Sequence, residues 1–416
     1  MRELVIMGGR KLDGEITAER AKNSVVALMA ASLAVKGEIL IENCPQIGDV
    51  LVMAEILRSL GARVVFNKEG ALIDCSGVFT TRLSHLLTEK IRASFFVVGA
   101  LTARFGSASC SRPGGCRIGS RPIDIHIDAL KSLGVESGER GGMVHFFAPV
   151  QKGGNVVLRY PSVGATENAM MAACLADGVS VIRNAAKEPE IVDLQNFLNR
   201  AGARIRGGGT DVIRIDGVKR LIGGFRFKPL EDRIETGTYL LAVLAAGGKA
   251  VIKDAKLRNI LSLIEKVKNN ACQLTEKNGN IYIQSNSISY GYGNITTSPW
   301  PGFPTDLQPQ LVAASCVAQG VTQVTETVFD NRTGYVKELK KTGADVTVDA
   351  REIKVNGKKI FGADMTAEDL RGGAALVIAA LAAEGKSVIR GVEHIERGYL
   401  DIDKKLLMLG ADVKRK

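Results

Sequence analysis

The sequence is poor in aromatic side chains, with one tryptophan in 416 residues and only 5% Phe, Trp and Tyr together. Platforms for stacking bases are scarce, and neither a basic arm nor zinc-finger spacing is present, so nucleic acid is not the expected partner. No apolar run approaches the ~18 residues that a membrane helix needs, so no membrane association is expected either. The opening Met1-Arg2-Glu3-Leu4-Val5-Ile6-Met7-Gly8-Gly9 has too short an apolar stretch for a signal peptide. The four histidines, His85, His126, His145 and His394, show no metal-ligand spacing. The seven cysteines are odd in number and form no CxxC pair. This argues for free thiols in a reducing, cytoplasmic setting and against a disulfide framework or zinc. A Walker loop, a GxGxxG turn between strand and helix, HExxH and GxSxG are all missing. No metal and no cofactor are expected.

What is present is an ordinary globular composition, 45% hydrophobic and 24% charged, in a chain long enough for two domains. The formal charge of +11 suits small anionic substrates. The clearest pattern is an internal repeat. A turn-like tripeptide recurs as Leu60-Gly61-Ala62, Leu133-Gly134-Val135, Ala201-Gly202-Ala203, Asn270-Ala271-Cys272, Thr342-Gly343-Ala344 and Leu409-Gly410-Ala411. Its central positions are 73, 68, 69, 72 and 67 residues apart. Each is preceded, 23 to 28 residues earlier, by a marker glycine after an Ala-rich apolar segment: Gly37, Gly106, Gly178, Gly248, Gly320 and Gly385.

This spacing predicts one supersecondary unit repeated six times. An apolar helix, uniform around its circumference, has to be buried. Glycine ends it, a strand follows, and then comes an amphipathic helix such as Leu51–Leu60, with Leu51, Ala54, Leu57 and Leu60 on its apolar face. Two strands complete the unit, as in Arg63–Phe66 and Ala71–Asp74. Units of ~70 residues are long for a stacking solenoid, whose repeats run ~20–45, so two compact domains with a cleft between them are expected. The proline-bearing stretch Arg226–Leu230 lies between the third and fourth units, and Leu4-Val5-Ile6 is placed to complete a sheet of the second domain.

One loop is unusual: Ser111-Arg112-Pro113-Gly114-Gly115-Cys116-Arg117-Ile118-Gly119-Ser120-Arg121-Pro122. Its glycines allow close approach of backbone to ligand, and cationic neighbours favour a reactive thiolate at Cys116. The other six cysteines are expected in apolar helices or strands. Basic residues also recur at chain breaks. Lys22-Asn23 opens the first apolar helix, where an anion would be favoured. Arg332 follows Asn331, Arg371 follows Asp369-Leu370, and Arg397 precedes Gly398.

These residues carry a family resemblance over essentially the whole chain. It rests on Ala21-Lys22-Asn23, Pro113-Gly114-Gly115-Cys116, Arg121-Pro122-Ile123-Asp124-Ile125-His126, Ser162-Val163-Gly164-Ala165-Thr166 and Glu188-Pro189-Glu190-Ile191-Val192-Asp193. It continues through Asp232-Arg233-Ile234-Glu235-Thr236, Phe303-Pro304-Thr305-Asp306, Thr327-Val328-Phe329-Asp330-Asn331-Arg332, Asp369-Leu370-Arg371 and Arg397-Gly398-Tyr399. The chain resembles the enolpyruvyl transferases that act on UDP-N-acetylglucosamine, in the same superfamily as 3-phosphoshikimate 1-carboxyvinyltransferase. The resemblance implies an α/β fold: a two-domain inside-out α/β barrel of six βαβαββ units, three per domain. The domains would be residues 22–229, and 1–21 with 230–416.

It also implies the chemistry. The enolpyruvyl group of phosphoenolpyruvate passes to the 3-hydroxyl of UDP-N-acetylglucosamine by addition and elimination, releasing phosphate, as the first committed step of peptidoglycan precursor synthesis. Cys116 matches the loop cysteine, which protonates C3 or forms a covalent adduct with phosphoenolpyruvate, and which is the target of the covalent inhibitor fosfomycin. Asp306 matches the general base, with Lys22 and Arg397 also in the catalytic set. Lys22, Asn23, Arg121, Arg332, Arg371 and Arg397 match the phosphoenolpyruvate site. Asn23, Arg92, Arg121, Pro122, Ile123, Asp124, Ile125, Tyr160, Ser162, Val163, Gly164, Asp306 and Val328 match the nucleotide-sugar site. The chain departs from the family pattern at Tyr160, where many members carry Lys, at Arg112, and at Thr333-Gly334-Tyr335 beside Arg332. Two alternatives are kept: the shikimate-pathway enolpyruvyl transferase, against which the cysteine loop argues, and a non-catalytic RNA-binding protein using the +11 charge.

Overall fold

The computed structural model describes residues 2–114, 118–119, 122–268, 272–285 and 290–416. Cys116 and Arg121 lie outside the described residues. Chain contacts divide the rest into two compact units. One holds the described part of Arg20–Cys116 and Pro122–Leu230; the other holds that of Met1–Glu19, Arg117–Arg121 and Glu231–Lys416.

Six sheets share one topology, three in each unit. A strand pairs in parallel with a second, which pairs antiparallel with a third, which pairs antiparallel with a fourth. In the first unit the orders are Phe225–Phe227, Glu38–Glu42, Gly70–Asp74, Arg63–Asn67, and Asn155–Val157, Val179–Arg183, Val212–Asp216, Arg204–Arg206. The remaining sheet runs Ser107–Ser111, Met143–Phe147, Glu136–Arg140, and a parallel bridge from Arg82 to Ser109 supplies its outer edge. In the second unit they are Leu12–Thr17, Gly248–Lys253, Asn280–Ser285, Cys272–Lys277; then Gly293–Thr296, Gly320–Thr325, Glu352–Gly357, Asp345–Asp349; then Asp364–Thr366, Gly385–Arg390, Glu3–Gly8, Asp412–Arg415.

The period-2 pattern sets the faces of these strands. In Glu352–Gly357, Ile353 and Val355 are buried while Glu352 and Lys354 are exposed. The N-terminal strand does complete a sheet of the second unit: Val5 faces Val388 on one side and Lys414 on the other.

Each unit is centred on helices instead of a sheet. In the second unit, Arg233–Ala246, Gln308–Ser315 and Leu370–Ala382 pack on one another. Leu370 to Leu381 are all buried, as are all eight residues of Gln308–Ser315. In the first unit Val97–Phe105 packs against both Lys22–Ala31 and Val163–Ala173. The helices are buried all round and mostly apolar because the sheets cover them from outside, and each buried Leu or Ile contributes about 1.5–3 kcal/mol. Gly99 permits close approach of Val97–Phe105 to Val163–Ala173. Its N–H donates to Asn168 Oδ1 at 2.7 Å, and a Cβ there would lie 2.4 Å from the Asn168 carbonyl oxygen.

Two local expectations are corrected. The marker glycines all have left-handed φ, from 72° at Gly106 to 110° at Gly248. Only Gly106 closes its helix; Gly248, Gly320 and Gly385 are the first residues of strands. The positive φ turns the chain into the sheet after the helix has ended. The amphipathic helix is Gly48–Leu60, and Leu51 is 38% exposed. The buried stripe runs through Val50, Met53, Ala54, Leu57 and Leu60, so Val50 takes the face expected of Leu51.

Candidate active site

In the second unit the fold brings together three residues far apart in sequence. Asp306 lies in the short turn Thr305–Leu307 that leads into a core helix. Arg371 sits in the first turn of Leu370–Ala382, whose N-terminus is capped by Asp369 through the N–H groups of Arg371 and Gly372. Arg332 follows the strand Gly320–Thr325 by a loop. Arg332 Nη1 is 2.8 Å from Asp306 Oδ1, and Arg371 Nη2 is 3.1 Å from Oδ2. The guanidinium groups are 5% and 3% exposed, whereas the carboxylate is 27% exposed. The Asp306 side chain is thus the most exposed of the three, and both arginines are buried against it.

Arg371 is held in turn. Its Nη1 donates to Tyr399 Oη at 3.1 Å and its guanidinium lies over the Tyr399 ring at 5.4 Å. Tyr399 Oη also meets Thr238 Oγ1 at 2.8 Å, and Gln310 Nε2 donates to both oxygens at 3.2 Å. Burial would press the Arg371 pKa down, but Tyr399, Asp306 and Asp232 outweigh it and hold the pKa above its ordinary value. Burial pushes the Tyr399 hydroxyl up, against the pull of Arg371. Val328 lies in the same loop as Arg332, and its N–H donates to Glu326 Oε1 at 2.8 Å. Arg397 follows the short helix Val392–Ile395 and stands two residues before Tyr399. Tyr335, one of the departures beside Arg332, is buried and donates to Gln308 Oε1 at 3.2 Å, so it fills the core there.

In the first unit Lys22 and Asn23 begin the core helix Lys22–Ala31, whose N-terminus has no side-chain cap. Lys22 Nζ is 2.7 Å from Asp49 Oδ2, at the start of Gly48–Leu60. The proposed nucleotide-end residues form a second group in this unit. Arg92 donates to the Pro122 carbonyl at 3.0 Å. Ile123 precedes the helix Asp124–Lys131, which packs on Val163–Ala173. Arg159 pairs with Asp124, and with Asp128 at 3.0 Å. Ser162 caps Val163–Ala173, and a Cβ on Gly164 would meet His126 Cε1 at 2.9 Å. Ile125 lies in the first turn of Asp124–Lys131, and Tyr160 is 38% exposed beside the Ser162 cap.

The six described cysteines are free, and burial pushes Cys44, Cys75, Cys110, Cys174 and Cys316 up to about 12 and Cys272 to about 11. None of these is a thiolate at neutral pH. Their expected placement in helices and strands holds only for Cys110 and Cys272; Cys44 and Cys75 are in loops, while Cys174 and Cys316 sit at helix C-caps, where the compact thiol fits a buried chain end. Among the described residues no group of three or more His, Cys, Asp or Glu side chains could hold a metal ion, and no helix is long and apolar enough to cross a membrane. Sequence reasoning assigned no role to Asp49, Thr305, Glu326 or Tyr399. Thr305 and Tyr399 lie within motifs that carry the family resemblance and Glu326 directly precedes one, so adjacency is the available signal.

A family model described as EPSP synthase (3-phosphoshikimate 1-carboxyvinyltransferase) matches residues 6–406. The enolpyruvyl transferase NikO from Streptomyces tendae superposes with a TM-score of 0.89 at 25% identity, covering 100% of this chain and 99% of its own. EPSP synthase from Acinetobacter baumannii gives 0.76 at 17% identity over 100% of both chains, a likeness of fold alone. The class is therefore that of enolpyruvyl transferase folds. UDP-N-acetylglucosamine 1-carboxyvinyltransferase 2 of Caldanaerobacter subterraneus subsp. tengcongensis is 46% identical over 416 residues, 100% of both chains. The UDP-N-acetylglucosamine 1-carboxyvinyltransferase of Trichlorobacter lovleyi is 42% identical over 417 residues, covering 100% of this chain and 99% of its own. The chain belongs to the UDP-N-acetylglucosamine 1-carboxyvinyltransferase family.

Proposed function

We propose that this chain transfers the enolpyruvyl group of phosphoenolpyruvate to the 3-hydroxyl of UDP-N-acetylglucosamine, in the cytoplasm, as the first committed step of peptidoglycan precursor synthesis. The observation that carries the reading is the Asp306 carboxylate, accessible and gripped by two buried arginines, in a chain 46% identical over its full length to a relative named for this activity. The two compact units would be its two three-repeat domains.

In the addition step the sugar hydroxyl gives its proton to Asp306 and bonds to C2, while C3 takes a proton from the Cys116 thiol. In the elimination step C3 returns a proton and the C2–O bond to phosphate breaks, leaving the enolpyruvyl ether and free phosphate. Lys22, Asn23, Arg121, Arg332, Arg371 and Arg397 would hold phosphoenolpyruvate, where fixed cations stabilise developing anionic charge. Asn23, Asp306, Val328 and the group around Arg92, Arg121, Pro122–Ile125, Tyr160 and Ser162–Gly164 would hold the nucleotide sugar. Fosfomycin would alkylate Cys116. The uniformly raised thiols of the six described cysteines leave Cys116 as the candidate nucleophile.

The test is phosphate release from phosphoenolpyruvate with each acceptor. Release that depends on UDP-N-acetylglucosamine supports the proposal. Release with shikimate 3-phosphate alone reverses it, and salt-sensitive RNA binding with no release favours the non-catalytic reading.

A further inference from the structure

Glu326 is 1% exposed and follows the strand Gly320–Thr325. Four donors converge on its carboxylate. Oε1 accepts from Thr297 Oγ1 at 2.9 Å, from Val328 N–H at 2.8 Å and from Phe329 N–H at 3.2 Å. Oε2 accepts from Thr305 Oγ1 at 2.8 Å. Thr297 Oγ1 in turn accepts from Thr327 N–H at 2.9 Å. A buried carboxylate this fully engaged fixes the geometry of every group that donates to it.

We infer that Glu326 is a positioning residue for the transfer, setting Arg332 against Asp306 through Thr305 and setting the Val328 main chain through its N–H. The inference rests on the reading of Asp306, Arg332 and Val328 given above.

Two routes lead from Glu326 to Arg332. In the first, the Thr305 hydroxyl spends its hydrogen on Glu326, so its lone pairs face Arg332 Nη1 at 3.0 Å. The same Nη1 is 2.8 Å from Asp306 Oδ1. One nitrogen thus joins Thr305 to Asp306, and Glu326 sets the direction of the first bond. In the second, the Phe329 N–H is pinned by Glu326 while the Phe329 ring lies 5.3 Å from the Arg332 guanidinium. A separate branch, through Val328 N–H, holds the segment that would contact the sugar.

The isosteric change Glu326→Gln puts an amide NH2 where one oxygen stood. If the nitrogen takes the Oε1 side it faces the Val328 and Phe329 N–H groups, donor against donor; if it takes the Oε2 side the Thr305 hydroxyl has to turn round and accept, so its hydrogen leaves Glu326; neither makes a cavity. Thr305→Val cuts only the first route and keeps the shape of the side chain. Thr305→Ser restores the hydroxyl.

The experiment measures kcat and KM for both substrates by phosphate release, with thermal unfolding of each variant alongside. Thr305→Val is expected to lower kcat about tenfold or more, with KM for UDP-N-acetylglucosamine within about twofold, and Thr305→Ser to recover most of the loss. Glu326→Gln is expected to lower kcat by a comparable factor, because either orientation of the amide breaks one of the two routes to Arg332. Folded Thr305→Val and Glu326→Gln proteins with kcat within about twofold of wild type overturn the inference. So does a Thr305→Ser protein as impaired as Thr305→Val, or a loss accounted for by the unfolded fraction alone, with unchanged turnover per folded molecule. If Glu326→Gln does not fold, the Thr305 pair decides alone. A wild-type protein with no UDP-N-acetylglucosamine-dependent release sinks the underlying reading, and the positioning role falls with it.

Discussion

Lys405 Nζ stands 2.7 Å from Glu235 Oε1, with 9% and 2% of the two side chains exposed. The pair ties the helix Ile402–Met408 to the core helix Arg233–Ala246. Glu19 adds a second carboxylate to Lys405 at 3.0 Å, and its N–H donates to Glu235 Oε2 at 2.7 Å. Burial pushes Glu235 up to about 7, against the pull of Lys405. Burial would lower Lys405, but Glu235 and Glu19 outweigh it and raise its pKa.

Removing one member leaves the other as a buried, uncompensated charge. Lys405→Ala is therefore expected to cost about 3–5 kcal/mol of stability. Adding Glu235→Gln to that variant should return part of the loss. Urea unfolding of the single and double variants checks this, and additive losses would refute the coupling.

Asp306→Ala is expected to retain binding of phosphoenolpyruvate while reducing turnover at least about a hundredfold, the range of general-base catalysis. The variant removes the carboxylate but leaves Arg332 and Arg371 in place. Calorimetric binding together with phosphate release checks it. Unchanged turnover would remove the proton-accepting role.

Cys116→Ser is expected to lose most turnover near neutral pH and to become insensitive to fosfomycin, since a serine hydroxyl is a far weaker acid than a thiol and neither gives its proton to C3 nor attacks the epoxide as readily. Intact mass of the treated wild-type protein should show one adduct, mapped to Cys116. Labelling of any of the six buried or half-buried cysteines instead would contradict their raised pKa values.

Glu167 is fully buried in the core helix Val163–Ala173, and neither carboxyl oxygen has a hydrogen-bond partner among the described residues. Burial, and then the charges of Glu190 and Glu188, push its pKa well above the usual 4.5. The folded form therefore holds a proton that the unfolded form releases above the usual value. The sign follows: its contribution to stability is full below that pH and is lost as pH rises toward the folded value, at up to about 1.4 kcal/mol per pH unit. Glu167→Gln should flatten this loss. Urea midpoints from pH 5 to pH 8 in wild type and variant, read as roughly linear free energies, check it; parallel curves would refute it.

The repeat was legible because it is a local matter. A helix apolar on every side and a glycine at left-handed φ leave their marks within ten residues of chain, six times over. Leu51 leaves the buried face because strict steps of three drift off the ~3.6-residue period, so Val50 shares the stripe of Met53, Ala54 and Leu57. Motifs point to Asp306, Arg332 and Arg371 one by one, yet nothing in their spacing of 26 and 39 positions says that the arginines grip one carboxylate. Glu326 and Tyr399 were missed because an ordinary Glu after a strand and an ordinary Tyr after a glycine look like surface and core until their partners are known.

The sequence alone determined six repeated units, the apolar helices at their centres and the identities of the polar groups at chain breaks, because periodicity and backbone conformation are written in neighbouring residues. Only the tertiary structure decided which of those groups touch: that Arg332 and Arg371 close on Asp306, that Lys22 meets Asp49, and that Glu326 and Tyr399 stand behind the arginines. Arg371 reaches Asp306 from the next repeat, and even the pairings within one repeat have an energy set by distance and burial, which the order of residues does not carry.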